Sequence, residues 1–258
     1  MSYSNNMVAA DNSEKPVAWT TQANNIAHQL LWLIIHVIIN IFFFLLGIVD
    51  TLESHLISSG VLKKYEAINV EKLHYLAIVV DSEDVQKMKV LQLLQWLADI
   101  GVKHVCLYDT EGVLKKSKEI ILEKLSFVKL FEEGDENFSD PRVMSLEFAS
   151  QSDGKDALAR AANLLFMKHL KLRSLGDTQE EKIFTEAHMV EALKDVGSSG
   201  PEPDLLLVYG PARCHLGFPA WRLRYTEIVH MGPLNSMKYG SLLKAIYNFT
   251  LIRQNYGQ

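Results

Sequence analysis

Apolar residues dominate the stretch from Leu30 to Val49; sixteen of these twenty are Leu, Ile, Val or Phe, and none of the twenty is Asp, Glu, Lys or Arg. At about 1.5 Å of rise per residue, such a helix is roughly 30 Å long, the hydrocarbon thickness of a bilayer. The pattern predicts a transmembrane helix over residues 28–50. A cleaved signal peptide fits less well, because its apolar core is normally about 7–15 residues behind a basic leader. The first 29 residues instead carry Asp11, Glu14 and only one basic residue, Lys15. Trp32, His36 and Asn40 recur every fourth residue and so share one helix face. That face suits contact with another membrane helix, or polar groups simply tolerated near one end of a long span.

Residues 1–27 are polar, lack apolar periodicity and read as a disordered tail. After the span, Leu52, Leu56, Ile57, Val61 and Leu62 suggest a juxtamembrane helix or linker over 51–70, lying along the membrane surface. From residue 71 to residue 258 strand-like and helix-like patterns alternate. Leu73–Val80 reads as a buried parallel strand ending at Asp81, and Val85 to Leu97 as a helix stopped by Gly101. Val102–Tyr108 is the next strand, Lys115–Leu125 an amphipathic helix and Val143–Ala149 a third strand. Asp153 is placed to cap a helix through Ala157, Ala161, Leu164, Leu165 and Met167. Thr178 with Glu181 has the spacing of a capping box for a helix reaching Val196. Asp204–Val208 and Arg224–Val229 are the last strands, and Ser236 opens a final helix to Gln254. The alternation predicts an α/β fold, a mostly parallel sheet flanked by helices.

The 208 residues beyond position 50 suffice for one domain with a substantial core. Net charge is −5, and residues 1–50 supply −2 of it, so the domain offers no basic footprint for nucleic acid. Cys106 and Cys214 stand in apolar contexts without metal-ligand spacing, which argues for a reducing compartment. Lys63 and Lys64 follow the span while Lys15 alone precedes it, so the positive-inside rule leans toward a cytosolic domain. Sequons stand at Asn137 and Asn248, the second inside a helical pattern.

In an open parallel sheet, ligands bind beyond the carboxyl ends of the strands. That directs attention to Asp81, Asp109, the stretch after Val208, and Glu227. None of these turns carries a Gly-x-Gly-x-x-Gly or P-loop cradle, and no Gly-x-Ser-x-Gly elbow or zinc spacing occurs. Asp81-Ser-Glu-Asp84 gathers three carboxylates, which either a metal site or an acidic helix start would explain.

Three blocks carry a resemblance: Asp204-Leu-Leu-Leu-Val-Tyr-Gly-Pro211, Leu216-Gly-Phe-Pro-Ala-Trp221 and Arg224-Tyr-Thr-Glu-Ile228. With Leu76–Asp81 and His104–Gly112 they make residues 70–258 similar to the Nogo-B receptor family, accessory subunits of eukaryotic cis-prenyltransferases, and in particular to its plant members. The resemblance implies a cis-prenyltransferase-like (undecaprenyl diphosphate synthase-like) fold and a heterodimer with a catalytic subunit at the endoplasmic reticulum membrane. The joint enzyme would add isopentenyl diphosphate to farnesyl diphosphate, making cis-polyprenyl diphosphates for dolichol (hence protein glycosylation) or for rubber. Catalytic relatives follow the first strand with Asp-Gly-Asn and an Arg; here Ser82-Glu83-Asp84 follows Asp81, and added carboxylates repel phosphate. Their later Arg-x-x-Gly-Glu-x-Arg stretch is replaced by Val208-Tyr-Gly-Pro-Ala-Arg213-Cys214. Glu227 matches a magnesium-binding Glu of those relatives but lacks its partners.

The chain is therefore expected to hold no catalytic residue, metal or cofactor of its own, with Mg2+ in the partner's site. Family members finish in Arg-x-Gly, which reaches into the shared site. Here Asn255-Tyr256-Gly257, with Arg253 upstream, takes that place and is expected to meet the isopentenyl diphosphate. Phe218, Trp221, Tyr225, Ile228, Leu243 and Tyr247 are the candidate partner interface, core packing being the ordinary alternative for each. A membrane receptor or scaffold that only recruits a partner or ligand is the competing function.

Overall fold

The computed structural model describes residues 15–65, 67–82, 87–131, 143–174, 184–198 and 200–252. They fall into two units, one ending at Glu53 and one beginning at Ser54. The first consists of most of helix α1 (Lys15–Ser58), whose stretch from Ile26 is long and apolar enough to cross a membrane. Helix α1 begins well inside the tail read as disordered, and it runs through Asp50 instead of giving way to a separate surface helix. Gly47 does not interrupt it, and Thr51 returns its hydroxyl to the Gly47 carbonyl (2.7 Å), so the polar turn stays helical.

The second unit is built on six parallel strands: β1 (Leu76–Val80), β2 (His104–Asp109), β3 (Val128–Leu130), β4 (Met144–Ser150), β5 (Leu205–Tyr209) and β6 (Glu227–Gly232). Their order is β3-β4-β2-β1-β5-β6. Strand β1 is central, paired with β2 and β5, and all five of its residues are buried. A strand covered on both faces cannot alternate with polar residues, hence the unbroken Leu-Ala-Ile-Val-Val. The Asp204 carboxylate accepts the backbone N–H groups of His74 (2.7 Å) and Tyr75 (2.9 Å), tying the start of β1 to that of β5.

Helices α2 (Lys87–Ile100), α3 (Val113–Lys116), α4 (Lys118–Lys124), α5 (Lys155–Ser174), α6 (Glu186–Asp195) and α7 (Tyr239–Leu251) complete the described elements. Gly101 ends α2 as expected. Its φ of +97° suits a residue without a β-carbon, and the N–H groups of Gly101 and Val102 both reach the Leu97 carbonyl. The single helix expected over 115–125 is broken at Ser117, where the chain re-caps. Strand β3 went unread: three residues with one buried side chain leave too short a pattern. Thr178 and Glu181 lie outside the described residues. Helix α6 is capped instead by Thr185, with His188 returning a bond to the Thr185 N–H. Ser236 sits in a 3₁₀ turn, and α7 starts three residues later.

The sheet's period of two sorts its side chains onto two sides. Leu76, Ile78, Val80, Val105, Leu107, Leu146, Leu205 and Leu207 pack on one side with Leu93, Leu94 and Leu97 of α2 and Leu242, Ile246 and Phe249 of α7. Ala77, Val79, Cys106, Tyr108, Leu206 and Val208 face the other side, with Tyr75 and Phe218. Helices α5 and α6 share a small cluster of their own, Ala157, Ala161, Leu165, Ala192 and Leu193, against which Trp221 packs.

Candidate functional site

The carboxyl edge of the sheet is where a parallel α/β fold holds a ligand. In this chain its own loops fill much of that edge. The segment Gly210–Gly217 follows β5 and turns back, with Leu216 at a φ of 47°, a backbone that a bulky L-residue seldom adopts. Two hydroxyls hold it there: Tyr108 Oη (3.4 Å) and Thr110 Oγ1 (3.2 Å) both donate to the Leu216 carbonyl. A β-carbon on Gly210 would stand 3.1 Å from Leu216 Cδ1 and 3.4 Å from the Asp81 β-carbon, so loop and strand end are in close contact. His230 Nε2 bonds the Gly210 carbonyl at 2.8 Å, fixing the loop from β6 as well. Arg213 and Cys214 lie exposed on this loop.

The acidic residues singled out from sequence have separate positions and separate roles. Asp109 is fully buried, and its carboxylate accepts the N–H groups of Val113 (2.7 Å) and Leu114 (2.9 Å). It satisfies donors that the start of a helix leaves orphaned, which makes it a cap. Asp153 closes a similar box with Ser150 and takes an ion pair from Lys115 at 2.8 Å. Asp81 follows β1 at the carboxyl edge, and its N–H bonds the Tyr209 carbonyl.

Glu227 does not belong to that edge. It opens β6 in register with Leu205, which pairs with Leu76 at the other end of β1. Roughly 16 Å of strand therefore separates it from Asp81, and the two carboxylates do not fit one metal ion in this chain. Among the described residues no group of three or more His, Cys, Asp and Glu side chains could hold one. Burial pushes the Glu227 carboxyl up.

On the second side of the sheet lies a polar cluster that the sequence reading missed. Arg222 is almost wholly buried, and its Nη1 and Nη2 donate to the two Glu147 oxygens at 2.9 and 2.8 Å. Its Nε donates to the Pro201 carbonyl at 2.9 Å, and Tyr75 Oη donates to Glu147. The guanidinium stands over the rings of Phe218 (5.4 Å) and Tyr75 (6.0 Å). Burial pushes the Tyr75 phenol and the Cys106 thiol up, so both stay neutral and Cys106 is inert. Glu147, the one charged residue in the strand Met144–Ser150, was the available signal: a charge there needs a partner.

The six interface candidates separate. Phe218, 1% exposed, packs edge-on against Tyr108 at 5.5 Å and beneath Arg222, so it is core and presents nothing to a partner. Trp221 is half-buried on the α5–α6 cluster. Tyr247 meets Tyr65 edge-on at 4.8 Å, and Leu243 lines a cavity of about 330 Å³ with Ile57, Tyr65 and Ile100. Tyr225 and Ile228 remain at the surface, 53% and 50% exposed. Arg253, Asn255, Tyr256 and Gly257 lie outside the described residues. The structure adds a surface not anticipated: Leu158, Ala162, Phe166 and Leu170 recur every fourth residue along α5, and all are exposed.

A six-stranded parallel sheet in this order, with a candidate membrane helix ahead of it in the chain, is an α/β fold. Among solved structures the chain is similar to a probable undecaprenyl diphosphate synthase from Campylobacter jejuni (TM-score 0.46, 15% identity, 72% of this chain and 99% of that one). It is also similar to lavandulyl diphosphate synthase from Lavandula x intermedia (TM-score 0.47, 15% identity, 72% and 98%). No family model matches the chain. Its curated homologues are NUS1 (Nogo-B receptor) subunits of the dehydrodolichyl diphosphate synthase complex. The human protein is 26% identical over 185 residues, covering 66% of this chain and 60% of the relative. The fission yeast protein is 25% identical over 177 residues (62% and 65%), and the mouse protein 22% over 198 (69% and 63%). The matches span somewhat under two thirds of these relatives' length.

Proposed function

We propose that this chain is a membrane-anchored, non-catalytic subunit of a heteromeric cis-prenyltransferase, akin to the plant members of the Nogo-B receptor family. The partner elongates farnesyl diphosphate with isopentenyl diphosphate toward dolichol-length or rubber-length products, and its site holds the Mg2+. The observation that carries this reading is the carboxyl edge. The Leu216 loop lies against the carboxyl ends of β1 and β2, the side on which a parallel α/β sheet takes its ligand, and it is pinned there by Tyr108 and Thr110. A chain built this way contributes to catalysis through its surface and through the segment after α7. Arg253, Asn255, Tyr256 and Gly257 supply donors to the isopentenyl diphosphate within the shared site. The exposed stripe of α5, about 18 Å long from Leu158 to Leu170, together with Tyr225 and Ile228, is the surface that meets the catalytic subunit. Helix α1 places the complex in the endoplasmic reticulum membrane with the second unit on the cytosolic side.

The test is incorporation of radiolabelled isopentenyl diphosphate with farnesyl diphosphate and Mg2+, comparing this chain, a catalytic subunit, and the two co-expressed. Product from the pair and from neither alone is expected. A catalytic subunit equally active by itself would leave recruitment by a membrane scaffold as the function. Glycosylation of Asn137 in cells would put the second unit in the lumen and overturn the cytosolic assignment.

A further inference from the structure

The cavity of about 330 Å³ that Leu243 lines lies wholly within the second unit, among the segment 57–70, the end of α2 and the start of α7. Two helix carboxyl ends meet there, because Ser58, the last residue of α1, and Ile100, the last of α2, both line it. Each such end carries about half an elementary negative charge, and α7 sets a single amino end against the two at Tyr239. Neither carboxyl end brings a cation to the wall: the last turn of α2 has no basic residue, and His55 of α1 does not line the cavity. Asp99 is the one charged residue among the described residues that do, and it adds a full charge of the same sign. Gln95 Nε2 donates to Asp99 Oδ1 at 3.0 Å, and among the described residues no cation pairs with this carboxylate. Two rings complete the wall, Tyr65 and Tyr239. Edge-on contacts hold both, Tyr65 against Tyr247 at 4.8 Å and Tyr239 against Trp96 at 5.5 Å. Burial, and then the charge of Asp99, push the Tyr239 phenol up, so ring and carboxylate are within electrostatic reach. The Tyr65 ring already accepts one ammonium, with Lys64 Nζ 4.6 Å from its centroid.

We propose that this cavity binds a quaternary ammonium group, the choline headgroup of a phospholipid. The negative wall selects a cation, and rings beside a carboxylate hold methylated ammonium through its diffuse charge. A primary ammonium brings three N–H donors that burial requires to be satisfied, and the wall offers it one carboxylate. A trimethylammonium group has no donor to satisfy, and its methyl groups suit the apolar Ile57 and Leu243. The volume stands at the lower end of the roughly 300–1,000 Å³ usual for small-ligand pockets, room for a headgroup and not for a whole lipid. A bilayer is the source because α1 builds part of the wall: Ile57 follows Val49, the end of the apolar stretch, by eight residues. That choice of source rests on reading α1 as a membrane span, whereas the cation chemistry does not.

The experiment takes the full chain in dodecyl maltoside and measures binding of labelled choline, glycerophosphocholine and ethanolamine by equilibrium dialysis. Choline and glycerophosphocholine are expected to bind alike, and ethanolamine at least about fivefold more weakly. Asp99→Asn, at an exposed position, should weaken choline about tenfold without a change in Tm. Tyr239→Leu should weaken it about three- to tenfold, while Tyr239→Phe, which keeps the ring, should change little. No binding of choline, or undiminished binding by Asp99→Asn, would overturn the site. Ethanolamine binding as tightly as choline would overturn the quaternary assignment. Nanodiscs then read the source. In phosphatidylcholine discs the headgroups fill the cavity and added choline should no longer bind, whereas in phosphatidylglycerol discs it should bind as in detergent. Equal binding in both discs would overturn the lipid as the source and leave free choline compounds. Failure of the chain to enter either disc would overturn the reading of α1, while the dialysis in detergent still decides the cavity.

Discussion

The two sides of the sheet are organised by different physics. The side under α2 and α7 is apolar and mostly aliphatic, and its stability follows from volume filled and area removed from water. The opposite side contains a two-point ion pair, Arg222–Glu147, bracketed by two aromatic rings and a backbone carbonyl. An aliphatic core accepts many arrangements of about the right size. A buried fork-to-fork pair accepts one, because every donor must meet its acceptor. The comparison suggests that the first side stabilises the sheet while the second fixes where the chain after β5 must lie. The chain runs from the Leu216 loop through Phe218 to Arg222, and then to the exposed Tyr225 and Ile228.

The sharpest way to break this comparison is to remove one member of the pair. Arg222→Ala leaves the largely buried Glu147 carboxylate, its side chain 19% exposed, beside Tyr75 without its cation, which should cost about 3 kcal/mol. For a domain of this size that is a fall in Tm of roughly 10 °C, readable by thermal melting of the co-expressed complex. The double variant Arg222→Met with Glu147→Leu should recover most of the loss, since apolar residues of similar volume remove both desolvation costs. A double variant as unstable as the single one would show that the polar geometry itself is indispensable.

On the aliphatic side the comparable change is Leu94→Ala, at a fully buried position in α2. Deleting its methyl groups should cost about 2–5 kcal/mol through lost transfer energy and the cavity left behind. No second substitution on a neighbouring strand should rescue it as sharply as the paired change rescues Arg222. Equal rescue on both sides would erase the distinction.

Much of the aliphatic side was legible in the sequence because period and burial agree there. Leu76–Val80 and Leu205–Tyr209 are continuous apolar runs, and α2 shows a wide apolar face ended by a glycine. The second side was hard to read for an equally physical reason. Arg222 and Glu147 are 75 residues apart, and nothing local marks them as partners. Phe218 stands in an aromatic cluster of the kind that populates interfaces and cores alike, so the sequence leaves both open and only the fold puts it in the core. Helix α5 misled in another way. Of the apolar positions the helix was expected to run through, Ala157, Ala161 and Leu165 are buried and Met167 is exposed, while Leu158, Ala162, Phe166 and Leu170 form an outward stripe. A helix apolar on two sides gives a weak periodic signal, and only the fold says which side is covered.

That outward stripe allows a milder test with a different readout. Phe166, 54% exposed, can accept a charge without disturbing the core, so Phe166→Glu should change stability by no more than about 0.5 kcal/mol. Association with the catalytic subunit should weaken by about tenfold or more, because the charge must be desolvated at the contact. Co-purification yield against salt checks this. Unchanged association would move the interface to Tyr225 and Ile228 alone.

The smallest expected effect concerns a carboxylate at the margin of the aliphatic side. Val229 and Met231 pack there, and the strand's period puts Glu227 on the same side. Burial raises its pKa in the folded chain, so the native state keeps its proton to higher pH than the unfolded state. Between the unfolded value near 4.3 and the higher folded value, the native state binds more protons, and stability falls as pH rises. Above that window the penalty is constant. Glu227→Gln removes the group that titrates, so the decline in Tm across this window should flatten, and Tm near neutrality should rise slightly. Parallel Tm curves for the two proteins from about pH 4 to pH 7 would mean that the carboxylate is as well solvated folded as unfolded. In that case the aliphatic side ends before β6, and the difference between the two sides is confined to the strands from β4 to β5.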